Sequence, residues 1–192
     1  FRETFGGLHL KYKVSPDICI LGKALGNGYP ITAILGKKNI MQKAQSTFIS
    51  STFWTERIGY AAAIATLKEM KKKQSWKKIS QIGKKIKSEW THLAKKHKID
   101  IDIFGIDALP GFKINSKKWQ RYRSYIVFTM LKNSILTSNV IYVSVTHTDA
   151  ILKKYFKILD KIFWDISQFE KSINLNKLKN IPLSQIGFKR LN

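Results

Sequence analysis

The chain has 192 residues, with 35 Lys and Arg against 12 Asp and Glu, for a formal net charge of +23. Such a length holds about one domain or one and a half, and a hydrophobic share of 44%, with 12% aromatic residues, excludes a disordered basic tail. A single cysteine, Cys19, excludes an internal disulfide framework, and Cys and His are too few and scattered to bind a structural metal. No apolar run approaches the roughly 18–20 residues of a membrane span. The opening Phe-Arg-Glu-Thr lacks the charged start and apolar core of a secretion signal. A cytoplasmic protein without a membrane partner is expected.

The elements follow in chain order. Asp17 to Leu21 is a short apolar run ending at Gly22, suited to a buried strand of a parallel sheet. Gly22 to Pro30 is a loop dense in turn residues, and Ile31 to Leu35 is a second apolar run closed by Gly36. A Ser/Thr-rich stretch leads to Thr55, which, or a neighbour of which, is placed to cap a helix over Arg57 to Lys73. Alanines 61, 62, 63 and 65 predict that this helix packs closely and is buried. A second helix carries Ile79, Ile82, Ile86, Trp90 and Leu93 at helical spacing, with most lysines off that stripe.

Then the period changes. Ile99 to Ile103 alternates as a half-exposed strand, Ala108 to Gly111 is a turn, and Phe112 to Ile114 returns. Trp119, Tyr122, Ile126 and Met130 mark another helix, and Ile141, Val143 and Val145 alternate as a strand. Thr148-Asp149 caps a last helix bearing Leu152, Phe156, Leu159, Phe163 and Ile166, after which Asn174 to Asn192 reads as a loose tail. The expected organisation is a sheet-and-helix segment over 1–75, a small α+β domain over 76–170 and a tail over 171–192, with an overall α/β fold class.

The charge has two possible sources. One is a phosphate-rich partner, which makes a basic polyanion-binding protein an alternative function. The other is compositional bias: only five of the basic residues are Arg, whereas nucleic-acid readers favour the Arg fork. Charge is also spread along the chain, and no nucleic-acid-binding signature is present, so no specific nucleic acid is expected.

The stretch that carries chemistry is Asp17 to Pro30. Lys23 directly follows a strand and opens a glycine-bearing loop, and strand ends are where α/β proteins bind ligands. A lysine at such a place is a candidate Schiff-base nucleophile, or else a surface turn residue. Two phosphate motifs fail. Ile31 stands where a dinucleotide fingerprint wants its third glycine, and neither Gly22-Lys23-Ala24 nor Gly36-Lys37-Lys38 completes a P-loop.

Pro16-Asp17-Ile18-Cys19-Ile20-Leu21-Gly22-Lys23-Ala24-Leu25-Gly26-Asn27-Gly28-Tyr29-Pro30 closely resembles the lysine motif of class III pyridoxal-phosphate aminotransferases, including the glutamate-1-semialdehyde aminomutases. Ala33 to Lys37 is similar to the family's next strand and turn. Ser51-Thr52-Phe53 resembles its phosphate-binding segment, and Ser144 to Asp149 its C-terminal strand and helix cap.

The resemblance implies a fold-type I transferase: the later part of a large cofactor-binding domain, then a small C-terminal domain. It implies pyridoxal 5'-phosphate as cofactor, held in a Schiff base by Lys23, whose freed amine then shuttles the proton. Thr52 would donate to the cofactor phosphate across a homodimer interface, with Ser51 a lesser candidate. Small amino donors and acceptors would be the substrates.

Two departures bear on this. Trp54-Thr55-Glu56-Arg57 stands where many members have Asn-Pro, so Glu56 and Arg57 are candidates to face the substrate or the dimer interface. The aspartate that holds the pyridine nitrogen lies, in the family, upstream of a segment like Phe1-Arg2. The chain is therefore expected to be the C-terminal part of such an enzyme, poorly active alone. An inactive remnant or a dimerising module is the remaining alternative.

Overall fold

The computed structural model describes residues 2–184. They fall into two compact units, one within 1–80 and the other within 81–192. The division lies inside a helix, a few residues beyond the shift at Gln74-Ser75.

In the first unit a one-turn helix α1 (Leu8–Lys11) precedes β1 (Ile18–Leu21), which pairs with β2 (Ala33–Gly36). The register runs from Ile18 opposite Gly36 to Leu21 opposite Ala33, and the pair is antiparallel. This corrects the expected parallel setting. Only eleven residues separate Leu21 from Ala33, fewer than the dozen or so that a parallel crossover needs. The pair is not buried either: Ile18, Ile20, Ile34 and Leu35 are each at least half exposed. Asp17 locks the open end, its carbonyl accepting from Lys37 N at 3.0 Å and its carboxylate from Lys37 Nζ at 2.7 Å.

Beyond β2 come α2 (Lys38–Met41), a 3-10 turn at Gln42–Ser46, and α3 (Ile58–Lys73). The alanine-rich helix forms where expected, but it buries only Gly59 and Ala63, leaving Ile58, Tyr60 and Ile64 mostly exposed. Small side chains permit close packing, yet within this unit only the first turns have something to pack on. Gln74, in the left-handed region at φ 48°, ends α3 before α4 (Ser75–Lys96) begins.

In the second unit the α4 stripe holds: Ile86 and Trp90 are fully buried and Leu93 nearly so. Strands β3 (Ile101–Phe104) and β4 (Gly111–Ile114) form an antiparallel hairpin, followed by α5 (Trp119–Lys132) and α6 (Asp149–Glu170). α5 packs on α6 and on β4. Phe112 of β4 is the aromatic centre, its ring 4.8 Å from that of Trp90 and 5.7 Å from that of Phe163, both edge-on. Such edge-to-face pairs add to the burial of each ring.

Two expectations are corrected here. Ile141 to Val145 is not a regular strand. Ile141 N donates to Pro110 O and Val143 N to Ala108 O, so the segment lies along an irregular turn and cannot build a continuous ladder. The tail is not loose up to Ser184. Leu178 and Ile181 are buried, Arg121 Nη1 donates to Leu178 O at 3.2 Å, and Ser184 N donates to Ser124 Oγ at 2.8 Å. The rest of the tail, 185–192, lies outside the described residues. Among the described residues no helix is long and apolar enough to cross a membrane.

Candidate active site

Lys23 sits where β1 ends. Gly22 is extended, and Lys23 turns the chain with φ at 48°, opening a 3-10 turn over Lys23–Leu25. A lysine in the left-handed region is strained, and such strain gathers at functional sites because surrounding structure must hold it. The loop closes on itself through Leu25 N to Gly22 O, Asn27 N to Lys23 O, Tyr29 N to Gly26 O and Ile31 N to Tyr29 O. Gly26 is required here: a Cβ would lie 2.1 Å from the carbonyl oxygen of Tyr29. Leu25 anchors the turn in the core of its unit, and α3 packs against that turn.

Lys23 is exposed, and among the described residues its amine has no ion pair or hydrogen bond. The other candidates lie in the segment before α3. Ser51 and Thr52 are exposed; Ser51 Oγ accepts from Phe53 N at 3.3 Å, and the Thr52 hydroxyl has no hydrogen bond among the described residues. Arg57 is exposed at the residue flanking α3. No hydrogen bond or ion pair among the described residues joins Ser51, Thr52 or Arg57 to Lys23.

Glu56 is differently placed. Its Oε1 accepts from Ile58 N at 2.6 Å and its Oε2 from Gly59 N at 3.0 Å, so this carboxylate, the neighbour of Thr55, caps α3. The bond from Gly59 N, ahead of partial burial and with help from Ile58 N and the Tyr29 hydroxyl, holds the Glu56 carboxyl below its usual range. Burial first, and then the Glu56 carboxylate, pushes the Tyr29 hydroxyl upward. Tyr29 was not singled out from the sequence. It sits twenty-seven residues before Glu56, and no periodic pattern connects a loop aromatic with a carboxylate at that distance.

Lys23 thus stands on a positive-φ turn at a strand end, with α3 packed against that turn. The chain belongs to the class-III aminotransferase family, whose model matches residues 3–162. It is 30% identical over 183 residues to a glutamate-1-semialdehyde 2,1-aminomutase of Saccharolobus islandicus, covering 87% of this chain and 42% of that protein. A glutamate-1-semialdehyde 2,1-aminomutase of Methanocaldococcus jannaschii is 29% identical over 174 residues, covering 88% of this chain and 36% of its own. In structure the chain is similar to the FumI protein of Sphingopyxis sp. MTA144, solved in its PLP internal aldimine form. The TM-score is 0.79 at 20% identity, covering 90% of this chain and 42% of that one. The chain thus spans less than half the length of the proteins it matches.

The donor set fits pyridoxal 5'-phosphate. It offers one uncommitted primary amine for an aldehyde on a strained turn, and a nearby-in-sequence segment with hydroxyls to spare for a phosphate.

Proposed function

We propose that the chain is the lysine-bearing portion of a pyridoxal-phosphate-dependent aminotransferase or aminomutase. The observation that carries this is Lys23, strained at the end of β1 inside the family-matched region with its amine uncommitted.

Lys23 would hold the cofactor covalently through Nζ, and Thr52, with Ser51 beside it, would donate hydroxyl hydrogens to the phosphate. When bound, pyridoxal phosphate supplies an electron sink that makes a carbon next to the amino group acidic. With its amine released, Lys23 Nζ would be the group that takes a proton from the substrate carbon and returns it at a neighbouring one. The amine would act as base when it takes the proton, and the ammonium so formed would act as acid when it gives the proton back. Arg57, exposed beside the start of α3, is the residue with the fork geometry suited to a substrate carboxylate.

Small amino donors and acceptors, a homodimer in which Thr52 serves the other subunit's cofactor, and a cytoplasmic setting complete the proposal. The test is spectroscopic. Addition of pyridoxal phosphate to the chain should give the yellow absorbance of a lysine-bound cofactor, and Lys23→Ala should abolish it. An unchanged band in the variant removes Lys23 from the mechanism.

A further inference from the structure

We propose that Glu56 and Tyr60 are positioning residues for Thr52. They tie the segment that carries its hydroxyl to the first turn of α3, and so set the preference of the chain for an aldehyde that bears a phosphate. The inference rests on the reading that Lys23 takes pyridoxal phosphate and that Thr52 serves its phosphate.

Thr52 lies at the corner of a hydrogen-bonded turn. Trp54 N donates to Ser51 O at 3.3 Å and Glu56 N to Phe53 O at 3.1 Å, so the chain from Ser51 to Glu56 makes two turns that share Phe53 and Trp54. Ser51 adds a bond of its own, its Oγ accepting from Phe53 N at 3.3 Å. Ser51 Oγ is thereby committed to the shape of the turn, whereas the Thr52 hydroxyl is exposed and has no hydrogen bond among the described residues. Burial does not hold this segment. Every residue from Gln45 to Thr55 is exposed, and Glu56 is the first that is not.

What holds the two turns is the start of α3. Glu56 is bonded at both ends: its main-chain amide to Phe53 O, and its carboxylate to the amides of Ile58 and Gly59, at 2.6 and 3.0 Å. Those amides have no carbonyl partner within the helix, and the negative charge suits the positive end of the helix dipole. Tyr60 makes a second tie, its hydroxyl donating back to Trp54 O at 3.4 Å. The helix start is itself seated on the lysine loop. Gly59 is buried, and a Cβ on it would stand 3.3 Å from both Tyr29 Cε1 and Ile31 Cδ1.

The amides of Ile58 and Gly59, which a helix start would otherwise turn to an anion, are already taken by Glu56. A phosphate arriving at this segment is therefore met by the Thr52 hydroxyl. Such a bond to an anion holds only over roughly 2.5–3.0 Å, so a turn that drifts loses it. The division of labour is that Thr52 donates, Ser51 shapes the turn, and Glu56 and Tyr60 hold the turn against α3.

The test uses the full chain with limiting pyridoxal 5'-phosphate or with pyridoxal, which lacks the phosphate, followed by borohydride and peptide mapping. The parent should label Lys23 more with the phosphorylated aldehyde, and Thr52→Val should lose that preference. Glu56→Ala should lower the preference about tenfold, the factor expected of one hydrogen bond to a charged acceptor, while labelling by pyridoxal stays as in the parent. Glu56→Asp, which keeps a capping carboxylate, should retain most of it. Tyr60→Phe, which leaves the cap intact, should lose part of it. Backbone hydrogen exchange at Trp54 and Glu56 should quicken in Glu56→Ala, with exchange at Asn27 and Tyr29 unchanged.

A preference kept in Glu56→Ala but lost in Thr52→Val overturns the inference alone. So does an equal fall in labelling by both aldehydes in Glu56→Ala, which would make Glu56 a general stabiliser of the first unit. A parent that labels Lys23 without preferring the phosphate removes the role of Thr52, and the inference with it. A parent that leaves Lys23 unlabelled by either aldehyde defeats the proposed function on which both stand.

Discussion

The indole N–H of Trp90 donates to the hydroxyl of Tyr155 at 3.0 Å, with both side chains buried in the second unit. Burial holds the Tyr155 hydroxyl protonated well above its usual range, so it stays a neutral acceptor at any working pH. Tyr155→Phe leaves a buried N–H without a partner, which costs about 1–3 kcal/mol. The midpoint of urea unfolding should drop accordingly. In a double-mutant cycle with Trp90→Phe the two losses should add to more than the double variant shows. Strict additivity would mean that the pair is not coupled.

Gly83→Ala should be harmful although alanine is the better helix former. On propensity alone the change within α4 gains about 1 kcal/mol. A Cβ at Gly83, however, would lie 1.8 Å from the carbonyl oxygen of Asp107, a backbone atom that cannot swing aside. Overpacking of this kind costs about 1–3 kcal/mol or more, so net destabilisation is expected. A raised melting temperature in Gly83→Ala would show that the helix and the turn at Asp107 are not in contact.

Asp160 provides the pH dependence. Its carboxylate accepts from Lys96 Nζ, at 2.8 and 2.9 Å to its two oxygens, and lies 2.6 Å from His97 Nε2. Burial alone raises this carboxyl, but the bonds to Lys96 and His97 outweigh it and hold it below the ordinary value of 3.8. A carboxyl lowered by folding adds stability above its unfolded pKa and loses it as pH falls through the folded one. Asp160→Asn should therefore lower stability at neutral pH and flatten the decline below about pH 4. Parallel stability curves for the two proteins in acid would contradict this.

The last helix begins on a single side chain. Thr148 Oγ1 accepts from Ile151 N at 3.4 Å, a long bond. Thr148→Ala should thus cost towards the lower end of the capping range, about 0.5–1 kcal/mol. Thr148→Ser should restore most of it. A cost above about 2 kcal/mol would mean that Thr148 does more than cap.

What the sequence made legible follows from which forces are periodic. The stripe from Ile79 to Leu93 specified α4, the alternation at Ile101 and Ile103 specified β3, and Thr148 marked the start of α6. The apolar runs before Gly22 and Gly36 located β1 and β2 but not their pairing, since an apolar run says nothing of the direction of its neighbour. Ile141 to Val145 alternates like a strand yet lies along a turn, and the tail is tied by Arg121 and Ser124 through bonds that follow no repeat.

Among the candidate site residues, Lys23 was singled out through a long local motif. Thr52 and Ser51 came only from likeness to a family, and Arg57 from a place where the chain departs from it. The bonds from Ile58 N and Gly59 N to the Glu56 carboxylate depend on how α3 starts, which no local motif spelled out.

The central claim is that Lys23, among all the lysines of a very basic chain, is the one that takes the cofactor. The direct measurement is brief exposure of the chain to pyridoxal 5'-phosphate at limiting concentration, reduction with borohydride, and peptide mapping by mass spectrometry. The account predicts that the reduced adduct concentrates on the peptide carrying Lys23 and that Lys23→Ala loses it without a compensating site. An adduct scattered over the surface lysines, with no preference for Lys23, would contradict it.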